Sequence, residues 1–395
     1  MILELLNKPK GDPILSVMSA FKNDVSSAKI DLGIGIYKDK YGKTPIMQAV
    51  RNASVSSAVS EESKSYIGLV GDEHFNTAMQ DLVLGKCEAS LRASTLQTPG
   101  ASGALRLLAD LIKLSRPGAR VWLSNPSYIN HRTIMEKAGL EVCEYPYLDL
   151  ETKQVNEALM MKVVETLGEN DVLLVHGCCH NPSGADLSFD AWKKIAQLSQ
   201  KNGFLPFIDI AYQGLGDDLD EDAKGLRFLV DQVQEVLIST SCSKNFGLYR
   251  ERTGAAIVIA KTQEKAKEVR IHMGELARGS YSMPPAHGAA IVSKILNDVI
   301  LKKQWELELK EMRERILALR HALVESFRIK SDSNKYDYIL SHKGMFSMTG
   351  LSDAQMLKLQ QEHSIYLVPG ARINIAGLQT NEVDRVVSSI LAVAK

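Results

Sequence analysis

Lys244 stands just past a short apolar run, residues 235–240, within the segment Ser241-Cys-Ser-Lys244-Asn-Phe-Gly-Leu-Tyr-Arg-Glu-Arg252. A lone lysine in such a place is nearly always a solvated charge. Here Ser241, Lys244 and Arg252 bring together a hydroxyl, an amine and a guanidinium. Hydroxyls with an arginine suit a phosphate. A lysine among cationic neighbours can lose its proton near neutrality and act as nucleophile and base. Asp209 closes a second run, residues 204–208, and Tyr212 follows it. A carboxylate at the end of a buried strand is costly unless it is paired. Asp209 is either a capping or salt-bridged acid or the partner of a cationic ring nitrogen, the electron sink of cofactor-based carbanion chemistry.

Gly100-Ala-Ser-Gly103 leads into a helical pattern over 104–114. Small residues let the backbone approach an anion, and a helix N-terminus offers free N–H groups. Alone, the loop could be only a helix start; with Ser241 and Arg252 it completes a phosphate cup. His176-Gly-Cys-Cys-His180-Asn181-Pro-Ser-Gly184 follows a third run, 171–176. Two histidines around two cysteines invite a zinc reading, but no second Cys/His pair has structural-site spacing. Asn181-Pro182 reads better as a loop placing an amide beside a ring oxygen, and His176 reads equally as a core histidine. Gly33-Ile-Gly35 lacks the third glycine of a dinucleotide fingerprint, and neither a nucleophile elbow nor a phosphate-binding Walker loop occurs.

Such residues need a scaffold that gathers strand ends. Apolar runs at 120–124, 171–176, 204–208, 235–240 and 255–260 alternate with amphipathic helices such as 189–200, opened by a cap at Asp186 or Ser188. Val/Ile/Leu-rich runs bounded by polar turns are the pattern of strands buried on both faces. Their alternation with helices predicts an α/β domain with a mostly parallel sheet. Ligands of such sheets bind at the carboxyl ends of the strands. A long charged helix over 295–326 predicts a connecting spine. Short strands at 336–340, 344–348 and 366–368, with helices at 352–362 and 380–393, predict a smaller α+β domain. The expected division is 41–305 for the large domain, with 1–40 and 306–395 forming the small one.

A chain of 395 residues exceeds what one core usually spans. Lys+Arg and Asp+Glu are both 47, so the net charge of +0 argues against electrostatic capture of nucleic acid or an acidic membrane. The 5 cysteines are odd in number and irregular in spacing, as suits reduced thiols. The first ten residues resemble neither a secretory signal nor a transit peptide, and no apolar stretch approaches the ~20 residues of a membrane helix. The expected location is the cytoplasm.

Four segments, in the family's order along the chain, resemble the class I aspartate/aromatic aminotransferases, of pyridoxal-phosphate fold type I: His180-Asn-Pro-Ser-Gly184, Phe207-Ile-Asp209-Ile-Ala-Tyr212-Gln-Gly, the Lys244 segment above and Ser282-Met-Pro-Pro-Ala-His-Gly288. The resemblance runs from Ile30 to Gly377. It implies that Lys244 is the Schiff-base lysine and proton shuttle for pyridoxal 5'-phosphate. It implies that Asp209 pairs with the ring nitrogen, and that Tyr212 and Asn181 hydrogen-bond the ring oxygen. Gly100, Ala101 and Ser102 with Ser241, Ser243 and Arg252 would hold the phosphate, joined by Tyr66 of a neighbouring subunit. Tyr128 would stack on the ring. Arg372 would clamp the substrate α-carboxylate, with Gly35 closing over it and Phe346 lining the pocket. Arg278 would reach across a homodimer to a side-chain carboxylate.

Two departures bear on specificity. The stacking residue of the family is usually Trp, and here it is Tyr128; a position near Arg278 that is often Asn is Met283. A less polar wall favours apolar side chains, whereas Lys38 and Thr44 look like residues of aspartate-selective members. The expected activity is transfer of the amino group of aromatic amino acids and aspartate to 2-oxoglutarate by a ping-pong route. The alternatives are a dedicated aspartate aminotransferase and, more remotely, a lyase or a non-catalytic binder of the same cofactor.

Overall fold

Every apolar run of the central sequence forms a strand, within two residues of its expected limits. In the computed structural model, which describes residue 11 and residues 13–394, the strands are β1 (Ile30–Asp31), β2 (Ala93–Pro99), β3 (Arg120–Asn125), β4 (Glu141–Pro146), β5 (Asp171–His176), β6 (Leu205–Ile210), β7 (Val236–Ser241), β8 (Thr253–Ile259), β9 (Phe346–Met348), β10 (Ile365–Tyr366) and β11 (Arg372–Asn374). The reading of residues 1–10 as lacking a targeting signal lies outside the described residues. Seven strands form one sheet in the order β2-β8-β7-β6-β5-β3-β4. β8 runs antiparallel to both its neighbours, and the other pairings are parallel. The fold is α/β with a mostly parallel sheet, as expected.

Side-chain alternation explains why these runs read as continuously apolar. Val172 and Leu174 of β5 join one core cluster with Leu105 and Leu108 of helix Gly100–Ser115. Leu173 and Val175 join the opposite cluster with Trp192 and Ile195 of helix Phe189–Asn202. Both faces are covered, and each such side chain contributes about 1.5–3 kcal/mol of burial. Ser188 caps the second helix by accepting from Ala191 N at 3.1 Å. Asp186 does not cap it; its carboxylate accepts from Cys179 N at 2.7 Å and His180 N at 2.8 Å, folding the loop after β5.

Three expectations need correction. The long helix does not begin at 295: helix Ala286–Asn297 stops, Asp298 accepts from Ile300 N and Leu301 N, and a new helix runs over Val299–Ser331. Aspartate is a strong N-cap, and it resets the helix there. Residues 336–340 are not a strand but a 3-10 turn, Asp337–Leu340, in which the Tyr336 ring stacks on Phe327 at 3.9 Å. The helix after the glycine loop starts at Gly100 itself rather than at 104. Toward the C-terminus β9 pairs antiparallel with β11, and β10 pairs in parallel with β1, so residues 30–31 join the C-terminal elements. No helix among the described residues is long and apolar enough to cross a membrane.

Candidate active site

Strand register assembles the centre of the site. His176 of β5 lies opposite Asp209 of β6, and Asp209 lies opposite Ser239 of β7. Beyond these carboxyl ends opens a cavity of about 170 Å³. Its walls include ten of the residues singled out in the sequence: Ala101, Ser102, Tyr128, Asn181, Asp209, Tyr212, Ser241, Ser243, Lys244 and Arg252. They come from five separate loops or strand ends, yet converge on one space.

At one end, Asp209 is buried and well partnered. Its Oδ1 accepts from the Ser239 hydroxyl at 2.7 Å, and its Oδ2 lies 3.0 Å from His131 Nε2. Burial alone would raise this carboxyl, but the His131 hydrogen bond and electrostatic pull, with the Ser239 hydrogen bond, hold it below the usual value. An ionised carboxylate is thus available to a cationic ring nitrogen. Ser127 Oγ lies 3.0 Å from the other nitrogen of His131 and orients the ring. His131 and Ser239 escaped the sequence reading. The available signal was helical spacing: His131 lies one turn after Tyr128 on the buried face of helix Ile129–Lys137.

At the other end stands a cup for an anion. Gly100 has φ +70, and a Cβ there would lie 2.5 Å from Arg252 Nη2. Only glycine allows that approach. Arg252 itself has φ 52, in the left-handed region, which turns its guanidinium toward Gly100 and within 3.4 Å of Ser243 Oγ. Gly254 of β8 abuts the first turn of helix Gly100–Ser115: a Cβ on it would lie 2.9 Å from Ala101 N. A helix N-terminus, two serines and an arginine match a phosphate.

Lys244 lies between the two ends, its Nζ 5.2 Å from the Tyr212 ring centroid. Burial, then Arg252 and Arg372, push its amine down to about 8, against the opposing pull of Asp209. The sequence reading credited cationic neighbours; burial is the larger cause. Burial and the nearby Asp209 likewise raise the Tyr128 phenol. Tyr212 is raised too, first by burial, so both stay neutral near pH 7.

Arg372, Phe346 and Gly35 form an adjoining group. Arg372 donates to Asn181 Oδ1 at 3.0 Å and to Gly33 O at 2.6 Å, and its guanidinium carbon lies 4.1 Å over the Phe346 ring. Its Nε has no hydrogen-bond partner, leaving a buried donor for a carboxylate. A Cβ on Gly35 would lie 2.9 Å from Phe346 Cζ, so backbone and ring touch. Tyr66 and Arg278 are not part of this assembly. Tyr66 is 92% exposed, and Arg278 is exposed near the end of helix Gln263–Ser280.

His176 is no satisfied core histidine. Both of its ring nitrogens lack partners, and burial pushes its pKa down to about 3, so it lines the cavity as a neutral ring. His180 is the satisfied one, within 3.0 Å of Ser124 Oγ and 2.8 Å of Ser183 Oγ and stacked on Tyr147. The cysteines next to it group with Asp222, not with histidines. Asp222 already accepts three backbone N–H groups, and burial pushes the Cys178 thiol up to about 12, so this trio suits a packed turn better than zinc.

The orphan donors, the glycine-lined cup and the partnered carboxylate fit a phosphorylated pyridine aldehyde. Comparison with known proteins agrees. The family model for aminotransferase class I and II matches residues 27–390. An aromatic-amino-acid aminotransferase of Pseudomonas aeruginosa is 44% identical over 386 residues, 97% of this chain and 96% of that one. The aspartate aminotransferase of Escherichia coli is 40% identical over 395 residues, covering 99% of this chain and 100% of its own. The structure of an aromatic-amino-acid aminotransferase from Burkholderia pseudomallei, covalently bound to pyridoxal phosphate, superposes with a TM-score of 0.97 at 36% identity over 100% of both chains. Sequence, fold and site therefore agree that the chain belongs to the class I and II aminotransferases.

Proposed function

We propose that this protein is a pyridoxal 5'-phosphate-dependent aminotransferase that moves the amino group of aromatic amino acids and aspartate to 2-oxoglutarate. The observation that carries the reading is the shared cavity of Lys244, Asp209 and Arg252. When bound, pyridoxal phosphate supplies an aldehyde that takes up an amino group and a ring that stores the electrons of a deprotonated Cα. Ala101, Ser102, Ser241, Ser243 and Arg252 would hold the phosphate. Asp209, kept ionised by His131, would hold the proton on the ring nitrogen. Tyr212 and Asn181 would hydrogen-bond the ring oxygen, and Tyr128 would pack against the ring. Lys244 Nζ, its amine pushed down by burial to about 8, would accept the Cα proton in its free form and return it two atoms along, across the nitrogen. Arg372 binds the α-carboxylate, and Phe346 with Gly35 excludes water beside it. A second oxo acid uses the same residues in reverse, giving ping-pong kinetics.

The assembly is a homodimer in which Tyr66 and Arg278 complete the neighbouring site, a reading supported by their exposure and by their place outside the lining of this chain's own cavity. Residues 41–305 form the large domain, and the remainder the small one. The location is the cytoplasm. The aromatic preference rests on Tyr128 and Met283, with Arg278 retaining dicarboxylates. The decisive measurement is kcat/KM for aspartate, phenylalanine and tyrosine with 2-oxoglutarate, since specificity is the ratio of those values. Values for phenylalanine and tyrosine at or above that for aspartate support the aromatic reading. A preference for aspartate of a hundredfold or more would replace it with a dedicated aspartate aminotransferase.

A further inference from the structure

Arg320 is a fully buried cation without a carboxylate in hydrogen-bond contact among the described residues. It sits on helix Val299–Ser331 at 1% exposure. Its two terminal nitrogens meet backbone carbonyls of one loop: Nη1 to Ile339 O at 3.1 Å, and Nη2 to Lys343 O at 3.1 Å, Gly344 O at 2.7 Å and Phe346 O at 2.7 Å, while Nε has no hydrogen-bond partner. Burial pushes its pKa down to about 10. A buried guanidinium is costly, and four carbonyls of a turn could have been met by water or by a smaller donor. The arrangement does more than close a turn.

The loop it gathers touches the substrate pocket twice. Phe346 lies under Arg372 and edge-on to Tyr212, with ring centroids 5.7 Å apart. Phe346 also pairs with Asn374 across β9 and β11, the strand pair that carries Arg372. Lys343 N donates to Gly184 O at 2.6 Å, joining the loop to the turn that bears Asn181. Asn181 in turn receives Arg372. One cation, outside the cavity, thus ties together the backbones that aim Phe346, Arg372 and Asn181.

We infer that Arg320 is a positioning residue for substrate: it fixes the Phe346 wall and, through it, the orientation of the Arg372 clamp. The inference rests on the proposed aminotransferase reading for the identity of the pocket. It predicts a selective effect, because the phosphate cup of Gly100, Ser241 and Arg252 lies on other elements and owes nothing to Arg320.

The test uses R320K and R320Q, each retaining donors on a shorter or neutral head, in the pyridoxal-phosphate-loaded protein. 3-Phenylpropionic acid, an aromatic acid with no amine to react, serves as the binding probe. The expected result is a Kd for this acid, and a KM for phenylalanine, about tenfold weaker in both variants. The Kd of the apoprotein for pyridoxal phosphate stays within twofold, and kcat within threefold. F346L is the second arm: combined with R320K it should cost no more than F346L alone, because Arg320 acts through Phe346. Unchanged acid binding in either folded variant overturns the inference. So does a parallel loss of pyridoxal-phosphate affinity, additive costs with F346L, or failure of both variants to fold. A wild type that binds the acid and the cofactor but transfers no amino group sinks the proposed reaction and leaves the positioning role standing, since the binding constants need no turnover.

Discussion

The Arg372 guanidinium donates to the amide oxygen of Asn181 at 3.0 Å, joining a C-terminal strand to the loop after β5. The contact leaves the arginine charged and the amide neutral, so the positive charge remains free for a carboxylate. In N181D the new carboxylate would compete with substrate for that charge. A buried ion pair formed in this way opposes binding by about 1.5–3 kcal/mol, the scale of a charged hydrogen bond. KM for aspartate and phenylalanine should rise at least tenfold in steady-state assays, while N181A should raise it less. Equal effects in the two variants would remove Arg372 as the clamp.

Lys244 should govern both cofactor capture and turnover. Its amine is pushed down to about 8, so it is mostly protonated below that pH and mostly free above it. Only the free amine is a nucleophile, so the rate at which apoprotein captures pyridoxal phosphate should rise through a midpoint near pH 8. R252Q removes a cationic neighbour and should move the midpoint upward. K244A should lose turnover by about 10⁴-fold or more, the upper range for a positioned acid–base group. Stopped-flow absorbance reads the first and single-turnover transfer the second.

His131 keeps Asp209 ionised, and its removal should be felt at the ring nitrogen. H131A leaves a buried carboxylate short of one partner, a change of about 1–3 kcal/mol. kcat/KM should drop by roughly ten- to hundredfold, with pyridoxal-phosphate affinity falling in step. H131N restores a donor and should recover part of the loss. A wild-type kcat/KM in H131A would mean that Ser239 alone suffices.

Gly100 is the tightest point of the cup. G100A adds a Cβ at φ +70 and within 2.5 Å of Arg252 Nη2. Strain of about 1–3 kcal/mol and a displaced guanidinium should weaken pyridoxal phosphate by tenfold or more. Pyridoxal without the phosphate should bind with little change, and fluorescence titration of both ligands separates the two effects.

Much of this was legible in the sequence because strands buried on both faces leave a strong apolar signal and end where ligands bind. β5, β6 and β7, with His176, Asp209 and Ser241 at their ends, follow from pattern alone. The cup was legible because glycine, serine and arginine have few reasons to coincide. The cross-element contacts were not. His131 meets Asp209 from 78 residues away, and Arg320 meets Phe346 by a reach from helix to loop. Neither leaves a local pattern. The misplaced start of the long helix is a different failure: one aspartate cap outweighed a charge pattern that continued across it. The 336–340 segment failed because a Tyr-Asp-Tyr-Ile-Leu string alternates like a strand, while stacking on Phe327 favours a tight turn.

The antiparallel pairing of β7 with β8 has a consequence for motion. Ser241 pairs with Gly254, and Cys242 N donates to Thr253 O at 3.0 Å, so the connection that carries Lys244 is pinched shut at its base. Its crown is held as well, since the Trp305 indole donates to Asn245 O at 2.7 Å. The connection cannot fray by itself, for its opening requires parting two interior strands of the sheet. The hydrogen-bonded amides of Cys242, Gly247 and Leu248 should therefore exchange with deuterium only when the whole sheet opens, on the timescale of global unfolding. The reactive amine would then owe its constancy of position to the slowest-opening part of the molecule rather than to a loop that settles when substrate arrives.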